Sequence, residues 1–269
     1  MHAEPGRRLA VVTGGSSGIG FELAREFASN GFDVVVAAED NGLEEAVEAL
    51  RPTRAVVNAV RVDLATRAGV EELYRSVRSL GRPVDALVLN AGIGVGGPFV
   101  ETPLEADLEL IALNVVSVVH LAKLVVPDMV ARRAGKVLVT ASVAGTMPGP
   151  FYATYAASKA FALSFAEAIR HELKDSGVTV TALMPGPTDT DFFRRAAMLE
   201  TRVGRMAKDS PDEVARDGFE ALMAGKDHVI AGSVKNTAQV VASKVLPDRA
   251  KAAMHARLTE PEHESERQR

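Results

Sequence analysis

The chain of 269 residues has no cysteine, no tryptophan and only three tyrosines. Without cysteine there can be no disulfide bridge, no zinc site built on thiolates and no cysteine nucleophile, and such a sequence is typical of a reducing compartment. The six histidines show no spacing that metal ligands use. The sequence therefore predicts no metal site.

Long runs of one chemical character are also missing. No uninterrupted apolar run approaches the ~20 residues that span a bilayer, and the first eight residues lack the apolar core of a secretory signal. The formal net charge of −4 and the absence of a long basic run argue against nucleic acid as the main partner. We therefore expect a cytoplasmic protein that binds neither membranes nor nucleic acid.

What the chain does contain is a repeated alternation of strand-like and helix-like segments. Its hydrophobic share of 47% suits one large core. Short β-branched runs followed by helical patterns predict a doubly wound, seven-stranded parallel sheet of the α/β class. We expect one domain over residues 8–233, a helical extension over 234–258 and a disordered tail over 259–269. The predicted strands are Leu9–Thr13, Asp33–Ala38, Ala55–Val62, Val84–Leu89, Lys136–Thr140, Val178–Leu183 and His228–Ala231.

The first apolar run leads into a glycine-rich turn. Gly14, Gly18 and Gly20 stand between this strand and the start of a helical pattern. Glycines allow the backbone to approach a pyrophosphate, and a helix N-terminus offers unpaired N–H groups and a positive dipole end. A lone glycine turn is more often an ordinary tight turn, but the flanking strand and helix are what a nucleotide site requires.

The most informative stretch is Ser142–Lys159. Tyr155 and Lys159 stand four residues apart in a segment without a helix breaker up to Gly177, so they share a helical face. At ~5 Å and an effective dielectric constant of ~20, the ammonium would favour the ionised phenol by roughly 3 kcal/mol, or about two pKa units. This spacing predicts a lowered pKa and proton transfer by Tyr155. The alternative is a tyrosine packed on the core beside a solvated lysine.

Two further polar residues accompany this pair. Ser142 follows an apolar run, at the strand end where open α/β sheets bind ligands. Asn114 interrupts an apolar helical segment, and a buried amide must find hydrogen-bond partners. Asn114 is therefore either a satisfied core residue or a link in an active-site network.

Apolar residues between Asp191 and Asp209 favour a lid that folds over a substrate. An amphipathic helix on the core is the alternative. The residues that suggest an apolar pocket are Met147, Phe151, Phe192, Phe193 and Met198.

Together these residues resemble the short-chain dehydrogenase/reductase family in its single-domain form, over about residues 9–232. The resemblance implies a Rossmann fold and an NAD(P)-dependent oxidoreductase that interconverts a ketone and a secondary alcohol. It implies that Tyr155 exchanges a proton with the substrate oxygen, Ser142 hydrogen-bonds the same oxygen and Lys159 holds the ribose. The expected catalytic residues are Asn114, Ser142, Tyr155 and Lys159, and the expected cofactor contacts are Thr13, Gly14, Ser16, Ser17, Gly18, Ile19, Gly20, Glu39, Asp63, Leu64, Asn90, Ala91, Gly92, Tyr155, Lys159, Pro185, Gly186, Thr188 and Thr190.

Two other functions stay open at this point. A non-catalytic NAD(P)-binding sensor or scaffold would use the same fold, but it has no need of a proton-transfer group. An epimerase or dehydratase acting on nucleotide sugars would normally need a larger substrate domain.

Glu39 decides the expected cofactor. It stands 19 residues after Gly20, near the position where an acid meets the adenosine ribose. A carboxylate accepts hydrogen bonds from the ribose hydroxyls of NAD, whereas it repels the additional phosphate of NADP. We therefore expect NAD over NADP, unless Glu39 faces solvent and Arg61 or another base reaches the phosphate.

We also expect a homo-oligomer. Two helical segments, Leu104–Ala131 and Tyr152–Ser176, carry more apolar surface than one sheet can cover. In the family such helices pair across a two-fold axis, which predicts a homodimer or homotetramer. The residues that suggest this surface are Leu121, Leu124, Val125, Phe161, Phe165 and Ile169.

Overall fold

The computed structural model describes residues 6–245 and 247–261. Within them lies one seven-stranded sheet with all neighbours parallel and the strand order β3-β2-β1-β4-β5-β6-β7. The predicted doubly wound Rossmann sheet is thus confirmed, with strand ends shifted by one or two residues. The strands are β1 Arg8–Thr13, β2 Phe32–Ala38, β3 Val57–Arg61, β4 Ala86–Leu89, β5 Gly135–Thr140, β6 Val178–Pro185 and β7 His228–Ala231.

Helices cover both faces of this sheet, which explains why its central strands read as continuous apolar runs. The helices are α1 Gly18–Ser29, α2 Gly42–Leu50, α3 Arg67–Ser79, α4 Leu104–Ile111, α5 Ser117–Ala131, α6 Ala153–Glu172, α7 Phe192–Arg195, α8 Arg202–Arg205, α9 Pro211–Met223, α10 Val234–Val245 and α11 Asp248–Thr259.

Alternate residues of each strand enter two cores. On one face, Val12 and Leu138 pack with Phe27 of α1 and Phe219 of α9. Phe27 meets Phe219 edge-on with the ring centroids 5.0 Å apart, a favoured aromatic geometry. The opposite face belongs to a second cluster that includes residues of α3, α5 and α6. Each fully buried aliphatic or aromatic side chain contributes about 1.5–3 kcal/mol, so both cores hold the sheet in register.

Residues 104–131 form one continuous helix, in which a π-helical turn, Ala112–Val116, joins α4 to α5. By length and composition this helix could cross a membrane, since its most apolar window has a mean hydropathy of 2.0. Our expectation that no segment would qualify was wrong, because polar residues such as Asn114 and Ser117 interrupt the apolar run without making the window polar. In the fold, 39% of that window is buried.

The structure buries, within their own chain, most of the residues that suggested an oligomer surface. Leu121 and Val125 are only 3% and 4% exposed, because they pack in the core of their own chain. Leu124, Phe165 and Ile169 are partly buried against the same core. These residues therefore leave little apolar surface for a partner, and the exposed apolar residues of this helix lie nearer its N-terminal end.

The C-terminal extension is folded further along the chain than we expected. Helices α10 and α11 meet at Pro247, as predicted, but Thr259 belongs to α11 and is only 2% exposed. Pro261 forms a bridge with Thr201 of the segment before α8. The expected disordered tail was therefore wrong for residues 259–261, since side-chain and backbone contacts hold them, and residues 262–269 lie outside the described part of the chain.

A buried carboxylate joins three segments at the amino edge of the sheet. Asp33 is fully buried and accepts hydrogen bonds from Arg7 at 3.1 Å, Arg82 at 2.6 Å and the backbone N–H of Val56 at 3.0 Å. Burial alone would raise the pKa of Asp33, but the Arg82 and Val56 hydrogen bonds and the two guanidinium charges outweigh it. The net pKa lies below its ordinary value.

We expect Asp33→Asn to lower the free energy of unfolding by about 2–3 kcal/mol at neutral pH, because two charge-assisted hydrogen bonds are weakened. Since the folded-state pKa is depressed, this stabilisation is complete above the unfolded value of 3.8 and is lost as the pH falls through the folded pKa. Urea unfolding at neutral and acid pH measures it. The exposed pair of Arg78 and Asp128 supplies the control, because Asp128→Asn should change stability by less than about 1 kcal/mol.

Candidate active site

A cleft of about 570 Å³ opens at the carboxyl edge of the sheet. It lies beside β1 and β4, where the strand order reverses direction and open α/β sheets bind ligands. Among the predicted site residues, all but Thr13 and Asn114 line this cleft. The lining residues of the prediction are Gly14, Ser16, Ser17, Gly18, Ile19, Gly20, Glu39, Asp63, Leu64, Asn90, Ala91, Gly92, Ser142, Tyr155, Lys159, Pro185, Gly186, Thr188 and Thr190.

The glycine turn has the shape that a pyrophosphate needs. Gly14 and Gly18 adopt left-handed backbone angles, with φ of 65° and 55°, which glycine reaches without strain. A Cβ on Gly20 would lie 2.0 Å from the carbonyl oxygen of Gly14, so the turn is tightly folded on itself. Ser17, the N-cap of α1, makes no side-chain capping hydrogen bond. The turn and the N-terminus of α1 can therefore hold an anionic group.

Thr13 and Asn90 tie the ends of three strands together beneath the cleft. The Thr13 hydroxyl donates to Val88 O at 3.0 Å and accepts from the N–H of Asn90 at 2.9 Å. The Asn90 amide nitrogen donates to Thr13 O at 3.1 Å, and its oxygen accepts from the Thr140 hydroxyl at 3.1 Å. Both residues thus support the cofactor turn through the scaffold, and Thr13 is too deeply buried to line the cleft.

Glu39 lies exposed at the rim of the cleft, in an acidic environment. Its pKa is raised, first because the surrounding protein removes solvent and then because Asp63, Glu109 and Asp40 add negative charge. Arg195 of α7 acts in the opposite direction. The charges near the expected ribose position are therefore mainly carboxylates.

Two polar residues that could contact a ribose near Glu39, Ser16 and Arg61, are hydrogen-bonded to other side chains. The Ser16 hydroxyl donates to Asp40 at 2.8 Å. Arg61, the base that we considered as a phosphate ligand, donates to Asn41 at 2.8 Å and to Glu44 at 2.5 Å. Arg61 does not line the cleft. Its present contacts therefore direct it away from the expected 2′-position.

The segment after β6 faces the glycine turn from across the cleft. A Cβ on Gly18 would lie 2.9 Å from the methyl group of Thr190, so these two segments approach closely. Thr188 forms a backbone bridge with Asp209. A Cβ on Gly186 would lie 2.2 Å from the side-chain oxygen of Asn236, which leaves room only for glycine. Asn236 of α10 therefore packs directly against the segment of expected cofactor contacts after β6.

Ser142 and Tyr155 form the reactive pair. Ser142 begins the short 3-10 helix Val143–Thr146, and its hydroxyl accepts from Ala144 N at 3.1 Å. The same hydroxyl donates to Pro185 O at 3.3 Å, and it lies close enough to Tyr155 to lower the pKa of the phenol. Two hydroxyl groups therefore meet on one wall of the cleft, where they can contact one substrate oxygen.

The pKa of Tyr155 differs from our prediction. Burial raises it to about 12, and the hydrogen bond with Ser142 only partly opposes this shift. We expected Lys159 to lower this pKa, but the Lys159 Nζ lies 5.9 Å from the Tyr155 ring centroid and donates to Thr140 O at 2.8 Å. The predicted direction was therefore wrong, and the phenol is protonated at neutral pH.

Burial destabilises the charged form of Lys159. It is 7% exposed, and burial lowers the pKa of its ammonium to about 8. Its hydrogen bond to the Thr140 carbonyl compensates part of the lost hydration. The ammonium is thus still mostly charged near neutral pH but can lose its proton far more easily than an exposed lysine.

Asn114 lies behind the cleft wall. Its oxygen accepts from Ile93 N at 2.9 Å, and its nitrogen donates to Ile93 O at 2.9 Å and to the Ser158 hydroxyl at 3.1 Å. The geometry agrees with a satisfied core asparagine. A Cβ on Gly92 would be 3.1 Å from the Asn114 oxygen and 3.5 Å from the Lys159 Nζ. Asn114 thus reaches the active site through Gly92 but makes no direct hydrogen bond with Tyr155 or Lys159.

The segment after Asp191, which we predicted to be a lid, lines the cleft. The lid consists of α7, α8 and the residues between them. A Cβ on Gly94 would lie 2.5 Å from the Phe192 ring, and the N–H of Gly96 donates to Ala196 O at 2.9 Å. The lid is therefore fastened to the loop after β4. Phe192 also packs against Tyr155, with the ring centroids 5.0 Å apart.

Sequence reasoning missed the contributions of the C-terminal helices. Asn236 of α10 and His255 of α11 line the cleft, although both are only 3% exposed. Tyr152, close in sequence to Tyr155, also lines it and contacts His255. A buried polar residue in a helical segment was the available signal, as it was for Asn114, but the sequence gives no partner for it.

The fold and the site together define an oxidoreductase class. A Rossmann sheet presents a pyrophosphate-binding turn at its switch point, and a serine, a tyrosine and a lysine lie farther along the same cleft. The short chain dehydrogenase family model matches residues 8–199. The chain belongs to the short-chain dehydrogenase/reductase family, whose members are NAD(P)-dependent oxidoreductases.

Individual relatives agree with this assignment. A 1-deoxy-11-beta-hydroxypentalenate dehydrogenase from Streptomyces avermitilis is 33% identical over 241 residues, which cover 88% of each chain. A short-chain dehydrogenase from Sphingobium yanoikuyae in complex with NADPH is 30% identical, with a TM-score of 0.77 over 83% of this chain and 87% of its own. A relative from Burkholderia phymatum in complex with NAD is 26% identical, with a TM-score of 0.81 over 96% and 98%.

Proposed function

We propose that this protein interconverts a ketone and a secondary alcohol on an apolar substrate, with Tyr155 as the acid and base. The placement of Tyr155 and Ser142 together in the cleft is the observation that carries this proposal. A bound nicotinamide supplies or accepts the hydride. In the direction of reduction, the carbonyl oxygen gains negative charge, so it needs a proton donor and a hydrogen-bond donor beside it.

The protonation states suit these roles. Because the pKa of Tyr155 is about 12, the phenol carries a proton to donate at neutral pH. Ser142 can donate a hydrogen bond to the same oxygen as its charge develops. Lys159 lies within the same cleft and presents a positive charge to the ribose side of the expected cofactor. Asn114 fixes the backbone at Ile93, next to Gly92, through two hydrogen bonds of 2.9 Å.

The walls beyond Tyr155 support an apolar substrate. Phe192, Phe193 and Met198 of the lid line this part of the cleft, together with Tyr152 and Leu258. Few charged groups could pair with an anionic substrate there, apart from residues at the lid edge such as Lys208, whose ammonium lies over the Phe193 ring. The relative from Streptomyces avermitilis is named for a hydroxylated carboxylate, which supports an alcohol substrate but not the absence of an anionic group.

The test is a product-identified screen of ketones and secondary alcohols with NADH, NADPH and their oxidised forms. Turnover is followed by the absorbance band of the reduced nicotinamide. We expect activity with bulky apolar ketones and none with anionic sugar nucleotides. Tight dinucleotide binding without turnover of any carbonyl or alcohol would instead favour a non-catalytic sensor or scaffold.

We propose NAD as the preferred cofactor because carboxylates surround the expected ribose position. Burial raises the pKa of Glu39, and the negative charges of Asp63, Glu109 and Asp40 raise it further. The same charges would repel a 2′-phosphate. A penalty of several kcal/mol corresponds to a preference of about 10²-fold or more. We expect Glu39→Arg to reduce the kcat/KM ratio of NADH over NADPH by at least about tenfold.

The control for Glu39→Arg is the same substitution at an acidic residue that lies away from the cleft. Glu45 of α2 is exposed and does not line the cleft, so Glu45→Arg adds the same charge without facing the cofactor. It should leave the ratio within about twofold, since exposed charges at a distance are screened. A wild-type protein that prefers NADPH would overturn the cofactor assignment.

We propose a homo-oligomer, which the exposed residues at the start of the long helix support. Leu104, Leu108 and Val116 are 64%, 54% and 56% exposed, and an apolar stripe of this kind is a common feature of two-fold interfaces. Light scattering at micromolar concentration should give at least a dimer mass. Leu108→Glu should shift it toward the monomer, whereas Val234→Glu, at another exposed valine, should not. A monomeric wild type would refute the proposal.

A further inference from the structure

The C-terminal helix α11 places a histidine in the interior of the cleft wall. His255 is 3% exposed and contacts two groups from the turn before α6. Its Nδ1 lies 2.9 Å from Pro148 O, and its Nε2 contacts the Tyr152 hydroxyl. The His255 and Tyr152 rings meet edge-on, with centroids 5.2 Å apart. The proposed chemistry does not use either residue.

These contacts fix the position of each proton. A carbonyl oxygen can only accept a hydrogen bond, so the Nδ1 of His255 carries the proton toward Pro148. Burial lowers the pKa of His255, so the ring is neutral at neutral pH and its Nε2 bears a lone pair. The Tyr152 hydroxyl must therefore donate to His255. Only this arrangement of protons gives the Tyr152 hydroxyl and both ring nitrogens of His255 a hydrogen-bond partner.

The Tyr152 ring, held by His255, packs against Tyr155, the proposed acid. Its ring stacks on that of Tyr155, with the centroids 5.7 Å apart and an angle of 22° between the planes. Phe192 packs against Tyr155 as well, at 5.0 Å. Such ring pairs are favourable beyond their buried area. A Tyr152 ring held at its hydroxyl thus restricts where the Tyr155 ring can lie.

We propose that His255 is a positioning residue for Tyr155, and that it acts by holding the Tyr152 ring against the Tyr155 ring. The inference rests on the proposed function, because it assigns a purpose to the orientation of Tyr155. The C-terminal extension then forms part of the active site, although it lies beyond the segment that the family model matches.

Fluorine NMR can test this without cofactor or substrate. Because the chain has three tyrosines, protein labelled with 3-fluorotyrosine should give a separate resonance for each, assigned with Tyr→Phe variants. In His255→Ala the Tyr155 resonance should shift or broaden by more than its linewidth. The Tyr74 resonance, from α3 outside the cleft, should stay in place and serve as the internal reference.

Two matched variants separate positioning from simple docking of the helix. His255→Gln retains an oxygen that can accept from Tyr152, so it should move the Tyr155 resonance back toward its wild-type position. Thr259→Val removes the hydrogen bonds that the Thr259 hydroxyl donates to Pro150 O at 2.8 Å and to the backbone oxygen of His255 at 2.9 Å, and it leaves the contact between the His255 ring and Tyr152 in place. It should not shift Tyr155. An unchanged Tyr155 resonance in His255→Ala, or an equal shift in Thr259→Val, would overturn the proposal.

Kinetics supply the second measurement. With any carbonyl that the wild type reduces, His255→Ala and Tyr152→Phe should each lower kcat about tenfold, because small misplacements of a reacting group slow the reaction. The KM for the cofactor should stay within about twofold, since neither residue lies at the glycine turn. An equal loss in Thr259→Val would contradict the positioning role. If no carbonyl is reduced, the proposed function fails, and the fluorine result still decides this inference.

Discussion

Replacing Tyr155 by phenylalanine should lower kcat about 10²–10⁴-fold, the usual contribution of one general acid or base. The variant keeps the ring that packs between Tyr152 and Phe192, so stability and cofactor binding should change little. It removes the phenol whose pKa Ser142 lowers. Initial rates at saturating cofactor, with cofactor affinity measured separately by titration, distinguish the loss of chemistry from the loss of binding.

Tyr74→Phe is the matched control for this experiment. Tyr74 is partly buried on α3 and does not line the cleft, so the same loss of a hydroxyl should leave kcat within about twofold. A Tyr155→Phe variant with the kcat of the wild type would remove Tyr155 from the mechanism. The cleft would then need another proton donor.

Replacing Lys159 by methionine should abolish most turnover but stabilise the folded protein at neutral pH. Burial lowers the pKa of Lys159 from 10.5 to about 8, a difference worth about 3 kcal/mol. Methionine has a similar length and no charge to desolvate. The lost hydrogen bond to Thr140 offsets about 0.5–1.5 kcal/mol, so we expect a net gain of about 1.5–2.5 kcal/mol.

The pH dependence gives this prediction a definite sign. A folded pKa below the unfolded pKa means that the unfolded chain binds the proton more tightly. The wild type should therefore gain stability relative to Lys159→Met as the pH rises from about 8 toward 10.5. Urea unfolding of both proteins across this range measures the difference. Lys174→Met, at an exposed lysine, should show no comparable trend, and a constant difference for Lys159→Met would contradict the prediction.

The architecture could be predicted because its signals are local. Each buried parallel strand is a short apolar run, and Gly14, Gly18 and Gly20 mark the one turn where the backbone must fold tightly. The spacing of Tyr155 and Lys159 correctly placed both residues in one cleft. The cytoplasmic location stays a prediction, because nothing in the fold bears on it.

The electrostatics of the site could not be predicted from spacing. Four residues along a helix bring two side chains to one face, but they do not reveal a third partner. Lys159 finds that partner in the Thr140 carbonyl, and the cleft removes water from Tyr155. Burial then outweighs the charge that the sequence argument relied on. The error was in the environment of the pair and not in its geometry.

Contacts between residues that are far apart in the sequence also could not be predicted. His255 lies 103 residues from the Tyr152 that it contacts, and Asn236 approaches Gly186 from another helix. No periodicity or motif in one sequence pairs such distant positions. The same limit explains the tail, where Thr259 and Pro261 are held by contacts with residues far earlier in the chain.

Asn90 has a consequence for how substitutions combine. Its amide contacts Thr13 and Gly14 on the cofactor side and the Thr140 hydroxyl on the other, while the Thr140 carbonyl receives the ammonium of Lys159. These contacts thus connect the glycine turn, through Asn90 and Thr140, with the ammonium of Lys159. Free-energy changes measured at the two ends should therefore not add, and a double-mutant cycle should lose its coupling energy when Asn90 is replaced by alanine.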